Sequence, residues 1–475
     1  MLIERVPSGV DGLDPLIEGG FPKGSLILLA GNPGTGKTTF GSRFLCRGAE
    51  KLRQNGIYAS FLEGKETLIA NISRFCDQDH VKLDEEGRFR VLDFVTMNEE
   101  GVSATLDSIL DEIHELKAER LVIDSFSAMA QAFKEPVGAR IVLHTILSKM
   151  VRQAGCTTLL IVETPIGEER LGLGIEEFVA DGVIILRRGE IDGRSVRELE
   201  IAKLRGTEIK QPRCIFTIDG GFRVCAPFSL KLPKEKKRFK PTSDAETHYS
   251  TGDDQLDKIL GGYSRGSFWV IEADPTVPLL LFRLFGGIAT LNFIHQKRGV
   301  LYYPPPGVTY EEFKSFYGES IDPKALKLLR VCEINPRSKE PSVVAIGGST
   351  KDLEKDEKAW NQAKEELRRN TKQSLLMILS LEALENRYGE SREKIFNVVI
   401  NQVASCRANG DLTIALSRPE LATGLRAASL TGNALRLTEK NGTILFYGVN
   451  PRTGLYAVEP DFSKGYPQLE FTPIT

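Results

Sequence analysis

Eight residues near the N-terminus restrict the fold more than any other part of the chain: Gly31-Asn32-Pro33-Gly34-Thr35-Gly36-Lys37-Thr38, followed by Thr39. They complete the pattern G-x-x-x-x-G-K-[ST], and their surroundings give the pattern meaning. Upstream, "SLILLA" (25–30) is a short, continuously apolar run of the kind that forms a strand covered on both faces. Downstream, the apolar residues of "TFGSRFLCRGAEKLRQ" recur at helical spacing. Strand, glycine loop and helix in this order predict an α/β fold in which loop N–H groups converge on phosphate oxygens. The following helix directs its positive end at the same anion. Lys37 would reach the β- and γ-phosphates and Thr38 would offer a hydroxyl to Mg²⁺. A glycine turn with an incidental lysine is the competing reading.

Two further segments supply carboxylates. "RLVIDSFSAM" (120–129) is an apolar strand ending in Asp124, a position from which a carboxylate holds the Mg²⁺ shell through water. "GIYASFLEGKETLIANI" (56–72) reads as strand, turn and helix start, with Glu63 just past the strand. Glu63 is a candidate to orient or deprotonate an attacking water; an exposed turn residue or a helix cap is the alternative. "GCTTLLIV" (155–162) is another buried strand. In "RELEIAKLRGTEI" (197–209), period-two alternation puts Lys203 and Arg205 on one face. Two cations there suit phosphate contact on a neighbouring subunit, or else form a solvated edge that discourages strand pairing. "IDGGFRV" reads as a closing hairpin turn.

Taken together, "PSGVDGLD" leading to "GGFPKGS", "GNPGTGKTT", "VIDSFSAM", "GIEEFVADGVIIL" (174–186) and "KLRGT" (203–207) resemble the KaiC branch of the RecA-like P-loop ATPases over residues 3–227. The resemblance implies a RecA-type core, ATP and Mg²⁺ held between adjacent subunits of a homo-oligomer, a hexameric ring among the options, and Lys203 and Arg205 reaching the neighbour's nucleotide. The family's pair of adjacent glutamates falls here on Leu62 and Glu63. With one member missing, slow hydrolysis is expected.

The second half repeats the first. "SGVDGLDPLIEGGFPKGSLILLA" (8–30) finds its counterpart in "TGDDQLDKILGGYSRGSFWVIE" (251–272), so that Gly9, Leu13, Asp14, Gly24 and Ser25 recur as Gly252, Leu256, Asp257, Gly266 and Ser267. "LVIDSFSAM" likewise recurs as "LMILSLEAL" (376–384). At the phosphate loop, however, Gly31 becomes Ala273, Gly36 becomes Pro278, Lys37 becomes Leu279 and Thr38 becomes Leu280, while Asp124 becomes Leu379. Proline lacks an N–H, the lysine charge is gone, and "GVLYYPPPG" (299–307) ends in prolines instead of a carboxylate. The expectation is a second site packed shut by leucines.

The organisation expected is therefore an active ATPase domain at 1–228, a basic linker at 229–246 and a degenerate RecA-like domain at 247–475, both domains with mainly parallel sheets flanked by helices. In outline this is similar to archaeal two-domain relatives, gas-vesicle regulators among them. With 475 residues, 41% hydrophobic and 27% charged, the chain can bury more than one core. A net charge of -2 and no basic-aromatic interleaving argue against a nucleic-acid footprint, and hence against a DNA-transacting ATPase. Seven scattered cysteines and no leader-like segment suit a reducing, cytoplasmic setting. The longest apolar stretch, 279–294, contains Arg283 and is read as a buried helix, not a membrane span. Lys231, Lys234, Lys236, Lys237, Arg238 and Lys240 mark a solvated linker or, alternatively, a nucleic-acid contact. The charged segment 350–373 is read as a surface helix docked through Leu353, Trp360, Ala363 and Leu367, with an exposed Trp360 serving a partner as the other option. The function expected is an oligomeric regulatory ATPase whose second domain engages a protein partner, or an ATP-gated binding module with negligible turnover.

Overall fold

The computed structural model describes residues 4–73, 86–94, 99–131, 136–164, 179–230, 235–334, 336, 338, 340–347, 352–389 and 392–475. Residues 174–178 of the family motif, Cys76, His80, Lys231, Lys234 and residues 350–351 of the charged segment lie outside them. The chain forms two compact units, Met1–Pro227 with Pro473–Thr475, and Phe228–Thr472.

In the first unit, β1 (Arg5–Val6) pairs with β2 (Phe21–Pro22) as a small antiparallel ribbon. The main sheet is built from β3 (Leu26–Gly31), β4 (Gly56–Ser60), β5 (Phe89–Asp93), β6 (Arg120–Asp124), β7 (Thr157–Glu163), β8 (Gly182–Ile191), β9 (Arg194–Leu204), β10 (Arg213–Thr217) and β11 (Arg223–Val224). Its order is β11-β10-β9-β8-β3-β7-β6-β4-β5. The strands from β8 to β5 are parallel, and β9, β10 and β11 extend the sheet antiparallel. The hairpin expected at "IDGGFRV" is the β10–β11 connection.

Alternation explains why β3 is apolar throughout. Ile27 and Leu29 enter the core on one face, whereas Leu26, Leu28 and Ala30 enter the core on the other. The first face is covered by α1 (Lys37–Leu52), through the fully buried Phe40, Phe44 and Leu45. Burying each such side chain contributes roughly 2 kcal/mol. The second face is covered by the helix Glu99–Leu116, which presents Ile109 and Ile113. Arg120 ties the start of β6 to α1: its Nη1 donates to the Phe44 carbonyl at 2.7 Å and its guanidinium stacks on the Phe44 ring. Burial pulls this group down to about 10.

The second unit repeats the plan. Its ribbon is β12 (His248–Tyr249) with β13 (Tyr263–Ser264). Its sheet contains β14 (Phe268–Ala273), β15 (Val300–Tyr303), β16 (Leu329–Ile334), β17 (Val343–Ile346), β18 (Leu376–Ser380), β19 (Leu412–Ser417), β20 (Ala434–Lys440), β21 (Thr443–Asn450), β22 (Tyr456–Asp461) and β23 (Gln468–Pro473). The order β17-β16-β15-β18-β19-β14-β20-β21-β22-β23 carries the first sheet's seven-strand arrangement from β9 to β5 in its middle. Local details recur as well. Asp14 accepts the Ser8 amide at 2.7 Å, and Asp257 accepts the Thr251 amide at 2.7 Å. Tandem α/β units with mainly parallel sheets are thus observed, as the motifs predict.

Three segments depart from expectation or refine it. The basic stretch does not stand free as a linker, because Phe239 is buried in the second core and the Lys237 amide bonds the Gly465 carbonyl at 2.8 Å. Its described cations, Lys236, Lys237, Arg238 and Lys240, are exposed, with Lys236 facing Glu319 and Arg238 facing Asp322. The apolar segment 279–294 is the buried helix Leu279–His295, and no described helix is long and apolar enough to cross a membrane. The charged segment forms the helix Leu353–Thr371, whose Trp360 packs near Tyr303, with ring centroids 6.3 Å apart. Among the cysteines, Cys156, Cys214, Cys225, Cys332 and Cys406 are free and buried, and Cys46 is disulfide-bonded.

Candidate functional site

The loop between β3 and α1 adopts the geometry its glycines permit. Gly36 has φ +103°, a conformation that strains any residue with a Cβ. A Cβ on Gly31 would stand 2.5 Å from the Leu186 carbonyl oxygen and 2.8 Å from the Thr35 hydroxyl. The loop therefore folds tightly only with glycine at its entrance. Gly36 caps α1 with no side-chain hydrogen bond, which leaves the first-turn N–H groups directed at whatever occupies the loop.

Lys37, 7% exposed, turns back over this loop, and its Nζ donates to the carbonyls of Gly31 at 2.9 Å and Asn32 at 3.0 Å. Burial lowers its ammonium below the ordinary lysine range, opposed by the charges of Glu163 and Asp124. Thr35 Oγ1 and Asn32 Nδ2 tie the loop to the Asn32 and Thr164 carbonyls. Pro33 and Gly34 are exposed, and Thr39 lies buried in the first turn of α1.

Thr38 and Asp124 come together. The Thr38 hydroxyl donates to Asp124 Oδ2 at 2.9 Å, and the Tyr58 hydroxyl donates to the same oxygen at 2.6 Å. Burial raises the Asp124 carboxyl, while the bonds from Tyr58 and Thr38 and the Lys37 charge hold it down. A carboxylate and a hydroxyl converging beside an uncapped helix start fit the donor set of a hard cation held next to phosphate. The residues present thus fit Mg²⁺ and a nucleoside triphosphate: Thr38 and Asp124 would hold the metal, and residues 31–39 the phosphates.

Glu63 follows β4 in a turn closed by Ser60, whose hydroxyl bonds both its carbonyl and its amide. Its carboxylate accepts from Asn71 Nδ2 at 3.1 Å, and its charge acts on both Asp124 and Tyr58. Leu62, in the place of the family's other glutamate, is 48% exposed.

Lys203 and Arg205 lie elsewhere. Lys203 pairs with Val183 near the start of β8, whereas the phosphate loop leaves β3 at the level of Leu186. Both cations therefore sit toward the end of the strands away from the loop. β9 ends at Leu204, so Arg205 lies past the strand and the expected alternation does not govern it. Lys203 Nζ donates to the Ala180 carbonyl at 2.7 Å, and Arg205 faces Asp181 at 3.4 Å.

Sequence reasoning missed Tyr58, Glu163 and Arg197. Glu163 ends β7 directly beside Gly31, and Arg197 reaches the loop from β9. Each is brought in by strand adjacency, for which the sequence holds no local signal.

The counterpart in the second unit corrects one expectation. The leucines do not pack the site shut, since Leu279 is 38% exposed and Leu280 is half-buried. Nor is the cation simply lost. Arg418 Nη1 donates to the carbonyls of Ala273 at 3.2 Å and Asp274 at 3.0 Å, the counterparts of the two carbonyls held by Lys37. The register explains its origin. Ala30 pairs with Val162 and Glu272 with Ser417, which makes Arg418 the positional counterpart of Glu163. Its Nε faces Glu382 at 3.5 Å, and Arg436 joins Glu272 at 2.9 Å to Asp274 at 3.0 Å. Where Asp124 stood, Leu379 is buried, yet the following serine keeps its role: Ser125 caps Ala128 in the first unit and Ser380 caps Ala383 in the second.

Comparison with known proteins gives a consistent family. A family model described as "ATPase: KaiC" matches residues 6–226. UPF0273 protein PAE3143 of Pyrobaculum aerophilum is 30% identical over 262 residues, covering 52% of this chain and 91% of that protein. Circadian clock oscillator protein KaiC of Thermostichus vulcanus is 30% identical over 275 residues, 55% of this chain and 50% of that protein. The chain thus spans about half the length of the KaiC relatives it matches. Among solved structures, the KaiC-like protein PH0186 from Pyrococcus horikoshii OT3 is 36% identical, covering 47% of this chain and 100% of that one, with a TM-score of 0.43.

Proposed function

The chain belongs to the KaiC-like branch of the RecA-superfamily P-loop ATPases, and on that premise we propose that it is an oligomeric regulatory ATPase with one working nucleotide site, in its first unit. The observation that carries this reading is the convergence of Thr38 and Asp124 at 2.9 Å beside the uncapped start of α1, with Lys37 over the loop. Mg-ATP, when bound, supplies the phosphoanhydride bond that is cleaved. The chain's own groups do the rest: loop amides and Lys37 neutralise phosphate charge, Thr38 and Asp124 hold the metal shell, and Glu63 orients a water.

Lys203 and Arg205 lie toward the other end of the strands from their own chain's loop, on the Ala180 carbonyl and Asp181, so a part in the reaction requires a neighbouring subunit. The second unit, with Arg418 on the loop carbonyls and Leu379 at the metal position, takes no nucleotide and engages a protein partner instead.

Steady-state phosphate release at rising protein concentration tests this. Turnover per chain is expected to rise with concentration. Lys203→Ala and Arg205→Ala are expected to lower it by about 10-fold or more while leaving Mg-ATP binding within about threefold of the parent. Turnover independent of concentration and insensitive to both substitutions would remove the intersubunit role. The hydrogen bond from Asn71 to Glu63 favours a second reading, an ATP-gated module without turnover, in which Glu63 anchors the helix beside it. Measurable phosphate release that collapses in Glu63→Gln rejects that second reading.

A further inference from the structure

In a phosphate loop the N–H groups turn inward to the anion, so carbonyl oxygens turn outward and need donors of their own. The β8–β9 hairpin supplies one. Arg197 on β9 is 5% exposed, and its Nη1 donates to the carbonyls of Gly34 at 3.2 Å and Thr35 at 3.3 Å. Its Nε donates to the main-chain oxygen of Thr475. Directly across the ladder on β8 stands Arg188, which is exposed. A Cβ placed on Gly34 would lie 3.7 Å from the nearest atom of the Arg188 guanidinium.

Opposed residues of an antiparallel pair share one face, where like charges destabilise. Burial, together with the Arg188 charge, pushes the Arg197 guanidinium below its ordinary value. Two cations are therefore held together at the middle of the phosphate loop, one of them desolvated, where an arriving polyphosphate would relieve their repulsion.

We propose that Arg197 is a positioning residue for nucleotide binding, holding the Gly34 and Thr35 carbonyls so that the loop amides keep their inward direction, and that Arg188 adds attraction for the polyphosphate. This rests on residues 31–38 being the nucleotide site. A preorganised loop loses less freedom on binding, so the effect falls on affinity.

The test is Mg-ATP titration of the full chain carrying Arg197→Met, Arg197→Lys, Arg188→Ala or Lys37→Ala, with thermal melting of each protein without nucleotide. Arg197→Met is expected to weaken Mg-ATP binding about 10- to 100-fold. Arg197→Lys, which keeps a charge and a donor, is expected to recover part of that loss. Arg188→Ala is expected to cost a few-fold, more at low salt than at high. Melting without nucleotide should change little in Arg197→Lys and Arg188→Ala, so those two carry the test if Arg197→Met does not fold. Parent-like affinity in the Arg197 variants overturns the proposal, as does an affinity loss that merely follows a loss of fold. If the parent itself fails to bind, the site reading falls. If Lys37→Ala alone loses binding, only the role of Arg197 falls.

Discussion

Lys37→Ala is expected to weaken Mg-ATP binding by about 100-fold or more, equivalent to about 3 kcal/mol, in an equilibrium titration. The lysine is nearly buried and already sits on the loop, with its ammonium on the Gly31 and Asn32 carbonyls. Its charge is poorly hydrated there, so a phosphate that takes it over recovers attraction that solvent does not screen. Alanine removes that charge and leaves both carbonyls to find water. The sheet beneath is untouched, because β3 is held by β7 and β8 and by the buried faces of α1. Melting without nucleotide should therefore shift by only a few degrees. An affinity within about threefold of the parent would show that the anion is held elsewhere.

Arg418→Leu is expected to lower the stability of the second unit by roughly 2–4 kcal/mol, seen as an earlier thermal transition. The side chain is 14% exposed, donates to two carbonyls of the altered loop, faces Glu382 and lies over the Phe282 ring. Leucine has the volume to pack there but no donor, which leaves the Ala273 and Asp274 carbonyls and a carboxylate uncompensated. Arg418→Lys should restore part of the loss, since an ammonium in the first unit satisfies the corresponding pair of carbonyls. Mg-ATP binding by the first unit is expected to stay at the parent value in both variants. An unchanged transition in Arg418→Leu would mean that the loop is held without the arginine.

The two loops show how far residues alone can be read. The strand, glycine loop and helix are contiguous, so their geometry follows from local spacing, and the same holds for the strand that ends in Asp124. The duplication is visible because its punctuation, Gly9 and Asp14 against Gly252 and Asp257, survives in place. What the sequence hides is adjacency. Tyr58 bonds Asp124 because β4 lies beside β6, with Ser60 level with Asp124. Glu163 and Arg418 occupy matching places in two sheets, yet comparing loop with loop shows only a lysine lost. The cation moved to the residue just past the neighbouring strand, where register makes it legible. Alternation alone pairs Lys203 with Arg205 on one strand face, but the end of β9 at Leu204 separates them.

The most direct measurement is the number of nucleotides bound per chain, from equilibrium dialysis of the full protein with free Mg-ATP held about tenfold above the parent's Kd. One per chain is expected, falling to about a tenth or less in Lys37→Ala and staying at one in Arg418→Leu. Two per chain, or one that survives Lys37→Ala, would place a nucleotide in the second unit and contradict that expectation.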